Sequence, residues 1–286
     1  MPKLFKLVSR LLLVVGLGGI LGATLVRFAP GYGVDEEELD SRLNQESIEA
    51  IRQAQVTHES LPSFYLHYLG KLLHGDLGDS RTLHQPVRQL LAARLPETLK
   101  SVGLGLAIGW TFGLALAMGA AMSRSGIADW TASLAANILL CIPAAVLALL
   151  FVIAQAPGRL IIGLIVFPKV FLYARNLLAE SAELPHVLTA RAKGLSGLRI
   201  LFWHVLPVAG PQLLALAGVS VSLAFAAAIP VEALCDLPGI GQLAWQAALG
   251  RDMETLVVLT MMVTLVTLLA NTAAELAVGP AHGGER

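Results

Sequence analysis

Three cations crowd one glycine in TARAKGLSGLRILFWHVLP, residues 189–207, where Arg191, Lys193 and Arg199 stand around Gly194. Fixed positive charges on a short, glycine-broken stretch hold anions rather than break bonds. Two partners fit. Anionic lipid headgroups would gain about 1 kcal/mol from each Lys or Arg, and the acidic surface of another protein could approach closely over the glycine. The residues alone leave these two readings nearly even.

Other chemistries lack their parts. No G-x-x-x-x-G-K-[ST] is present, so the chain holds no ATP through a P-loop of its own. There is no G-x-S-x-G or H-E-x-x-H for hydrolysis. His67 and His74 could share a helix face but have no third ligand, and Cys141 and Cys235 offer neither a disulfide framework nor metal spacing. No catalytic residue and no metal site is therefore expected. GLGGILG at 16–22 and GLGLAIGWTFG at 103–113 follow no strand, which excludes dinucleotide loops. Their small-xxx-small spacings let helix backbones approach.

The setting of the basic stretch is apolar. Of the 286 residues, 56% are hydrophobic and 14% charged, with a mean hydropathy of +0.71; soluble domains hold about 25% charged residues. Zero net charge gives no general attraction for nucleic acid. Six stretches approach the roughly 17–25 apolar residues that a membrane crossing needs: Leu11–Val26, Thr98–Ala121, Trp130–Ile153, Leu160–Ala174, Leu206–Ile229 and Leu256–Val278. The first resembles a signal peptide, but Arg27 and Phe28 follow it in place of a small-x-small cleavage site, so it reads as an uncleaved helix.

Lys and Arg in the short connections set the orientation. Lys3, Lys6 and Arg10, then Arg124, then Arg175, Arg191, Lys193 and Arg199 share one side, against Arg159 and Arg251 on the other. The fold class is thus all-α and integral to the membrane, with six spans and both termini cytoplasmic. Residues 1–95 comprise the first span and an external segment containing DEEELD at 35–40, with helical patterns in NQESIEAIRQAQ, capped by Ser47, and in LPSFYLHYLGKLL. Residues 96–279 form a five-helix core with a cytoplasmic loop at about 180–204, and 280–286 a tail.

Buried acids or histidines would mark a proton-coupled carrier, and spans two, three and five have none in their interiors. Lys169, beside Pro168, is the one clear mid-span charge; Glu275 lies near the end of span six. Lys169 is either a pathway residue or one that snorkels to an edge, with snorkelling slightly favoured. Within the basic stretch, a continuous helix over 188–202 would align Leu188, Ala192, Leu195, Leu198 and Phe202, with Arg199 intruding. That intrusion predicts two helices about Gly194 in a left-handed conformation, Ser196 capping the second.

The stretch resembles the EAA loop of ABC-transporter permeases: Gly194 is followed at the family's distance by HVLP, ending in Leu206 and Pro207. Thr189, Ala190, Arg191, Ala192, Lys193, Gly194 and Leu195 spell the TARAKGL of the dipeptide, oligopeptide and nickel importer branch. RFAPG at 27–31, HGDLGDS at 74–80, PVRQLLAARLPETL at 86–99, IPVEALCDLPGIGQLAWQAALGRD at 229–252 and NTAAE at 271–275 are similar to further landmarks of that branch, in order. Leu188 stands where the motif's Glu would be, the QAPGR connection is shorter than usual, and APGYG and LCD are variants.

The resemblance implies the type I importer permease fold in the bacterial or archaeal cell (inner) membrane. It implies one of two homologous permeases, working with two ATPases that carry ATP and magnesium, an external solute-binding protein and the lipid bilayer; this chain itself would hold no cofactor. Thr189 to Leu195, with Leu198, Leu206 and Pro207, would shape ATPase docking, the leucines alternatively packing on the chain's own helices. Glu232, Pro238, Gly239, Gly241 and Asp252 would form the external element facing the binding protein, or a turn whose Gly and Pro satisfy backbone geometry. Peptides and nickel complexes are the solutes implied. An exporter permease is the nearer rival; a secondary transporter or a membrane scaffold is more distant.

Overall fold

The computed structural model describes residues 76–80, 82–122 and 126–278, with isolated positions between 9 and 24. The remaining residues of the first apolar run and its basic flank, the segment 25–75 with DEEELD, Ser47, His67 and His74, Arg124 and the 280–286 tail lie outside the described residues.

Among the described residues a two-stranded antiparallel hairpin, β1 (Asp79–Ser80) and β2 (Gln85–Pro86), pairs Ser80 with Gln85 and leads into eight helices. These are α1 (Val87–Met122), α2 (Gly126–Cys141), α3 (Ala144–Ile153), α4 (Arg159–Ala182), α5 (Pro185–Ala192), α6 (Gly197–Leu234), α7 (Ile240–Leu249) and α8 (Met253–Val278). Four of them, α1, α4, α6 and α8, are long and apolar enough to cross a membrane, and α2 with α3 could make a fifth, broken crossing.

Span boundaries differ from hydropathy where backbone chemistry intervenes. The second stretch starts at Val87 rather than Thr98, because Leu, Ala, Arg and Gln in VRQLLAAR favour helix beyond the apolar run. Pro96 is accommodated inside that helix, and the expected boundary near residue 95 falls within it. The third stretch is not one straight span: α2 and α3 meet at 94°. Pro143 has no N–H to give the preceding turn, and its ψ of 143° is extended, so the helix stops and restarts. In α6, Pro207 removes another helical donor, and residues 201–205 widen to a π turn that passes the Leu206 N–H back to the Leu201 carbonyl.

The chain forms two compact units, residues 1–91 with 246–264, and residues 92–245 with 265–286. The first contains the hairpin and the start of α8, and buries Val87, Leu90, Met253, Val257, Val258 and Leu259. The second holds two apolar cores. One gathers Phe171, Leu178, Val187, Leu201 and Val205; the other gathers Ile161, Ile162, Val166, Phe225 and Val231.

Lipid tails are as apolar as leucine, so close van der Waals contact must hold spanning helices together. The glycines of 103–113 supply it. Cβ atoms added at Gly105, Gly109 and Gly113 would lie 2.5, 2.7 and 2.9 Å from Ile162, Val166 and Val170. Three branched residues four apart on α4 thus seat on three glycines four apart on α1. On α6, a Cβ at Gly218 would lie 2.6 Å from that of Ala274, and one turn further along, Asn271 Nδ2 donates to Ser222 Oγ at 3.1 Å.

Candidate functional site

The basic stretch folds as an elbow. Pro185 opens α5 at a position where its missing N–H costs nothing. At the other end the Gly194 N–H donates to the Arg191 carbonyl at 2.9 Å and the Leu195 N–H to the Ala190 carbonyl at 3.3 Å. With Gly194 at φ +77°, this is a complete Schellman stop. The expected two helices about a left-handed Gly194 are present. Ser196 occupies the cap position of α6 with extended backbone, but its side chain makes no capping bond.

Within the elbow the named residues divide by exposure. Thr189 returns its hydroxyl to the Pro185 carbonyl at 2.9 Å, and Ala190 is buried. Arg191, Ala192, Lys193 and Gly194 are exposed, and a Cβ at Gly194 would have nothing within 4 Å. The leucines separate: Leu195 packs on the chain's own core, whereas Leu198 is 57% exposed. Leu206 is half-buried and Pro207 exposed. Sequence reasoning missed the anchors Val187, Ile200, Leu201 and Val205, which are buried at helical spacing beneath the exposed cations. It also missed Trp203, 76% exposed. Arg175, at the elbow end of α4, forms a two-pronged ion pair with Asp129 of α2.

The second group lies at the far end of α6. Glu232 is fully buried, its Oε2 accepting the Gly241 N–H at 2.7 Å and the Thr98 hydroxyl at 3.0 Å. Thr98 Oγ1 in turn accepts the Ile240 N–H at 2.8 Å. The first turn of α7 is thereby capped by groups from α6 and α1, and the carboxylate faces the positive end of a helix. Glycine is required here for space rather than for φ: a Cβ at Gly239 would overlap the Glu232 carboxylate, and one at Gly241 would lie 2.6 Å from Ile229 Cα. Pro238 is exposed, while Gly239 and Gly241 are buried. Asp236, at φ +52°, accepts from Gln242, whose amide oxygen accepts from Arg94. Arg159 pairs with Glu97 close by in sequence to Thr98.

Asp252 belongs to the other unit and is also fully buried. It caps α8, Oδ1 accepting the Thr255 N–H at 3.1 Å and Oδ2 the Thr255 hydroxyl at 2.8 Å. Oδ2 also receives the Ser80 hydroxyl from the hairpin. The carboxylates of Glu232 and Asp252 therefore present no surface to a partner; they set the loops around them.

Four helices long and apolar enough to cross a membrane, glycine-seated packing and an exposed basic elbow are the architecture of a multi-pass helical membrane protein. Residues 111–279 match the model of the family described as binding-protein-dependent transport system inner membrane component, and the chain belongs to that family. It is 26% identical to a peptide permease protein of Brucella ovis over 93% of this chain and 94% of that one. To the di/tripeptide transport system permease protein DppB of Pseudomonas aeruginosa it is 25% identical over 92% of each. Its fold is similar to a chain of the inward-facing MetNI methionine ABC transporter, with a TM-score of 0.56 at 22% identity over 67% of this chain and 97% of that one.

This protein is accordingly a permease subunit of an ABC importer, multi-pass in the inner membrane, with the type I importer fold. Hydrolysis of ATP belongs to a separate subunit, and an ATPase and a substrate-binding protein are its general partners. Export is not favoured.

Proposed function

We propose that this chain is one of two homologous permeases that carry peptides inward, with two ATPases holding ATP and magnesium below and a solute-binding protein above. The observation that carries the coupling role is the Gly194 stop, which leaves Arg191 and Lys193 exposed beside a backbone with open space around it. Such a knob suits a cleft with acidic walls: the glycine admits a close neighbour, the cations reach its carboxylates, and Leu198 adds apolar contact. The buried anchors Val187, Ile200 and Leu201 fix the elbow to α4 and α6, so a push on it moves spanning helices rather than a loop. Alternating access then requires two states close in free energy, each favoured by different contacts to ATPase and binding protein. The loop at Pro238, held rigid by the Glu232 cradle, serves as the external face offered to the binding protein. Peptides are the solute that the relatives' names favour.

Gly194→Asp tests the coupling. Asp tolerates positive φ, and the site has room, so the elbow should still fold while the added carboxylate repels an acidic cleft. Co-expression with the ATPases and pull-down of the complex should show about tenfold weaker retention or more, with loss of solute-stimulated hydrolysis. Full ATPase binding and stimulation by the variant would sink the assignment.

A further inference from the structure

Lys169 sits ten residues past Arg159 and thirteen before Ala182 on α4, which at 1.5 Å per residue is about 15 and 20 Å from the two helix ends. The apolar run ends five residues, about 8 Å, beyond Lys169 at Ala174, so what the ammonium meets is decided by the surroundings of α4. Among the described residues no carboxylate lies within ion-pair distance of it. It is half-buried, and it is not alone on its face. Lys169, Tyr173, Asn176 and Glu180 follow the spacing i, i+4, i+7, i+11, so they share one stripe running from mid-depth to the elbow end of α4. Tyr173 is 55% exposed, and Asn176 and Glu180 are exposed.

Other faces of α4 are occupied. Phe171, Ala174 and Leu178 lie in the elbow core on the far face, while Val166 and Val170, three residues before Lys169 and Tyr173, seat on the α1 glycines along one flank of the stripe. What remains outward is the polar stripe, and spanning helices do not leave such a stripe in lipid; it lines water or meets a partner group. Resting on the reading of this chain as a peptide permease, we infer that Lys169 and Tyr173 line the translocation pathway and hold the C-terminal carboxylate of the passing peptide. The two are donors one helical turn apart. Neither the ammonium nor the Tyr173 hydroxyl has a partner among the described residues, and an ammonium beside a hydroxyl matches the two oxygens of a carboxylate. Asn176 is engaged by Arg175 at 3.0 Å, which leaves the upper pair as the anion site.

The complete transporter, with both permeases, the ATPases and the binding protein, is reconstituted in vesicles and given radiolabelled dialanine or its C-terminal amide. Affinities of the isolated binding protein for both are measured so that its own preference divides out. Lys169→Met should lower dialanine uptake by about ten- to hundredfold, the range of a lost charge-assisted hydrogen bond, and amide uptake, whose neutral carbonyl makes only an ordinary hydrogen bond, by less than about tenfold; Lys169→Arg should keep most activity. Equal loss for both peptides, unchanged dialanine uptake, or release of the second permease on gel filtration overturns the inference, the last assigning the carboxylate to that permease. If Lys169→Met does not fold, Lys169→Cys with Cys141 and Cys235 replaced by serine is the second variant. A cationic aminoethyl methanethiosulfonate should restore uptake and an anionic sulfonatoethyl reagent should not; absence of labelling, or rescue by both, overturns it equally. An assembled wild-type complex that moves neither peptide overturns the peptide reading as well, which unselective variants in a working transporter do not.

Discussion

Glu232 and Gly241, nine residues apart, are joined by a 2.7 Å hydrogen bond from the glycine N–H to Oε2 in a space where no Cβ fits on either Gly241 or Gly239. Carboxylate and glycines are one device: the acid caps α7, and the glycines let the backbone come near enough to be capped. Glu232→Ala leaves the Thr98 hydroxyl and the Gly241 N–H without acceptors, at about 1–3 kcal/mol for each orphaned group. Glu232→Gln keeps an acceptor oxygen and should lose much less. Thermal unfolding in detergent should rank wild type, Gln and then Ala; an Ala variant as stable as wild type would remove the cradle's structural role.

Asp252 makes a separate forecast. Its Oδ1 accepts the Thr255 N–H, three residues on, as a helix cap does, and its Oδ2 takes hydroxyls from Thr255 and Ser80. Asp252→Asn can still cap, whereas Asp252→Ala forfeits about 1 kcal/mol or more from the cap alone. Amide hydrogen exchange at Thr255 should quicken several-fold in the Ala variant and little in the Asn variant. Protection at Thr255 that does not distinguish the two would show that the cap contributes nothing to the start of α8.

At the elbow, conformation and space are separable. Gly194→Ala costs about 1–2 kcal/mol because Cβ opposes a left-handed residue, while Asn, which tolerates that region, costs less although its side chain is larger. Stability should therefore order as Gly, Asn, Ala, but ATPase retention should fall with side-chain size, as Gly, Ala, Asn. Opposite orders from melting curves and from pull-downs would separate the turn from the docking surface; the same order in both would mean that the glycine matters only to the turn.

The long helices and the elbow were legible because their signals are local. Apolar runs mark α4 and α6, and Gly194 in a basic stretch marks a stop whose hydrogen bonds involve residues within five positions. The 94° break was not legible from hydropathy, since Ile142 and Pro143 sit inside an unbroken apolar run; only the missing proline N–H betrays it. The Glu232 cradle was half legible. The residues GIG and the acid were singled out by resemblance, but their burial depends on Thr98, more than a hundred positions away, and that pairing leaves no periodic trace. Leu195 and Leu198, treated alike, part company because the Schellman stop turns one inward and the next helix carries the other out. For Lys169 the decisive fact is which neighbours fill the other faces of α4, which a single helix's sequence does not contain.

The α1–α4 seam closes by glycines accepting branched side chains, so its glycines should be coupled to specific partners rather than uniformly sensitive. An alanine Cβ at Gly109 would meet Val166 Cγ1 at 2.7 Å and Val166 Cβ at 2.8 Å, with the Phe167 backbone nitrogen at 3.2 Å. The nearer obstacles belong to one side chain. Gly109→Ala alone should cost about 1–3 kcal/mol by overpacking, and Val166→Ala alone a similar amount by leaving a void. Their combination removes Cγ1, the nearest obstacle, while the β-carbon of residue 166 stays at 2.8 Å, so the double variant should be more stable than the sum of the single losses by the low end of about 0.5–3 kcal/mol. Pairing Gly109→Ala with Ile162→Ala, whose methyl faces Gly105 one turn away, should show far less coupling. Thermal or denaturant unfolding of the four-member cycles in detergent reads this directly. Additive losses at Gly109 and Val166 would mean that the two helices shift apart as bodies and that the seam is not a set of matched knobs and glycines.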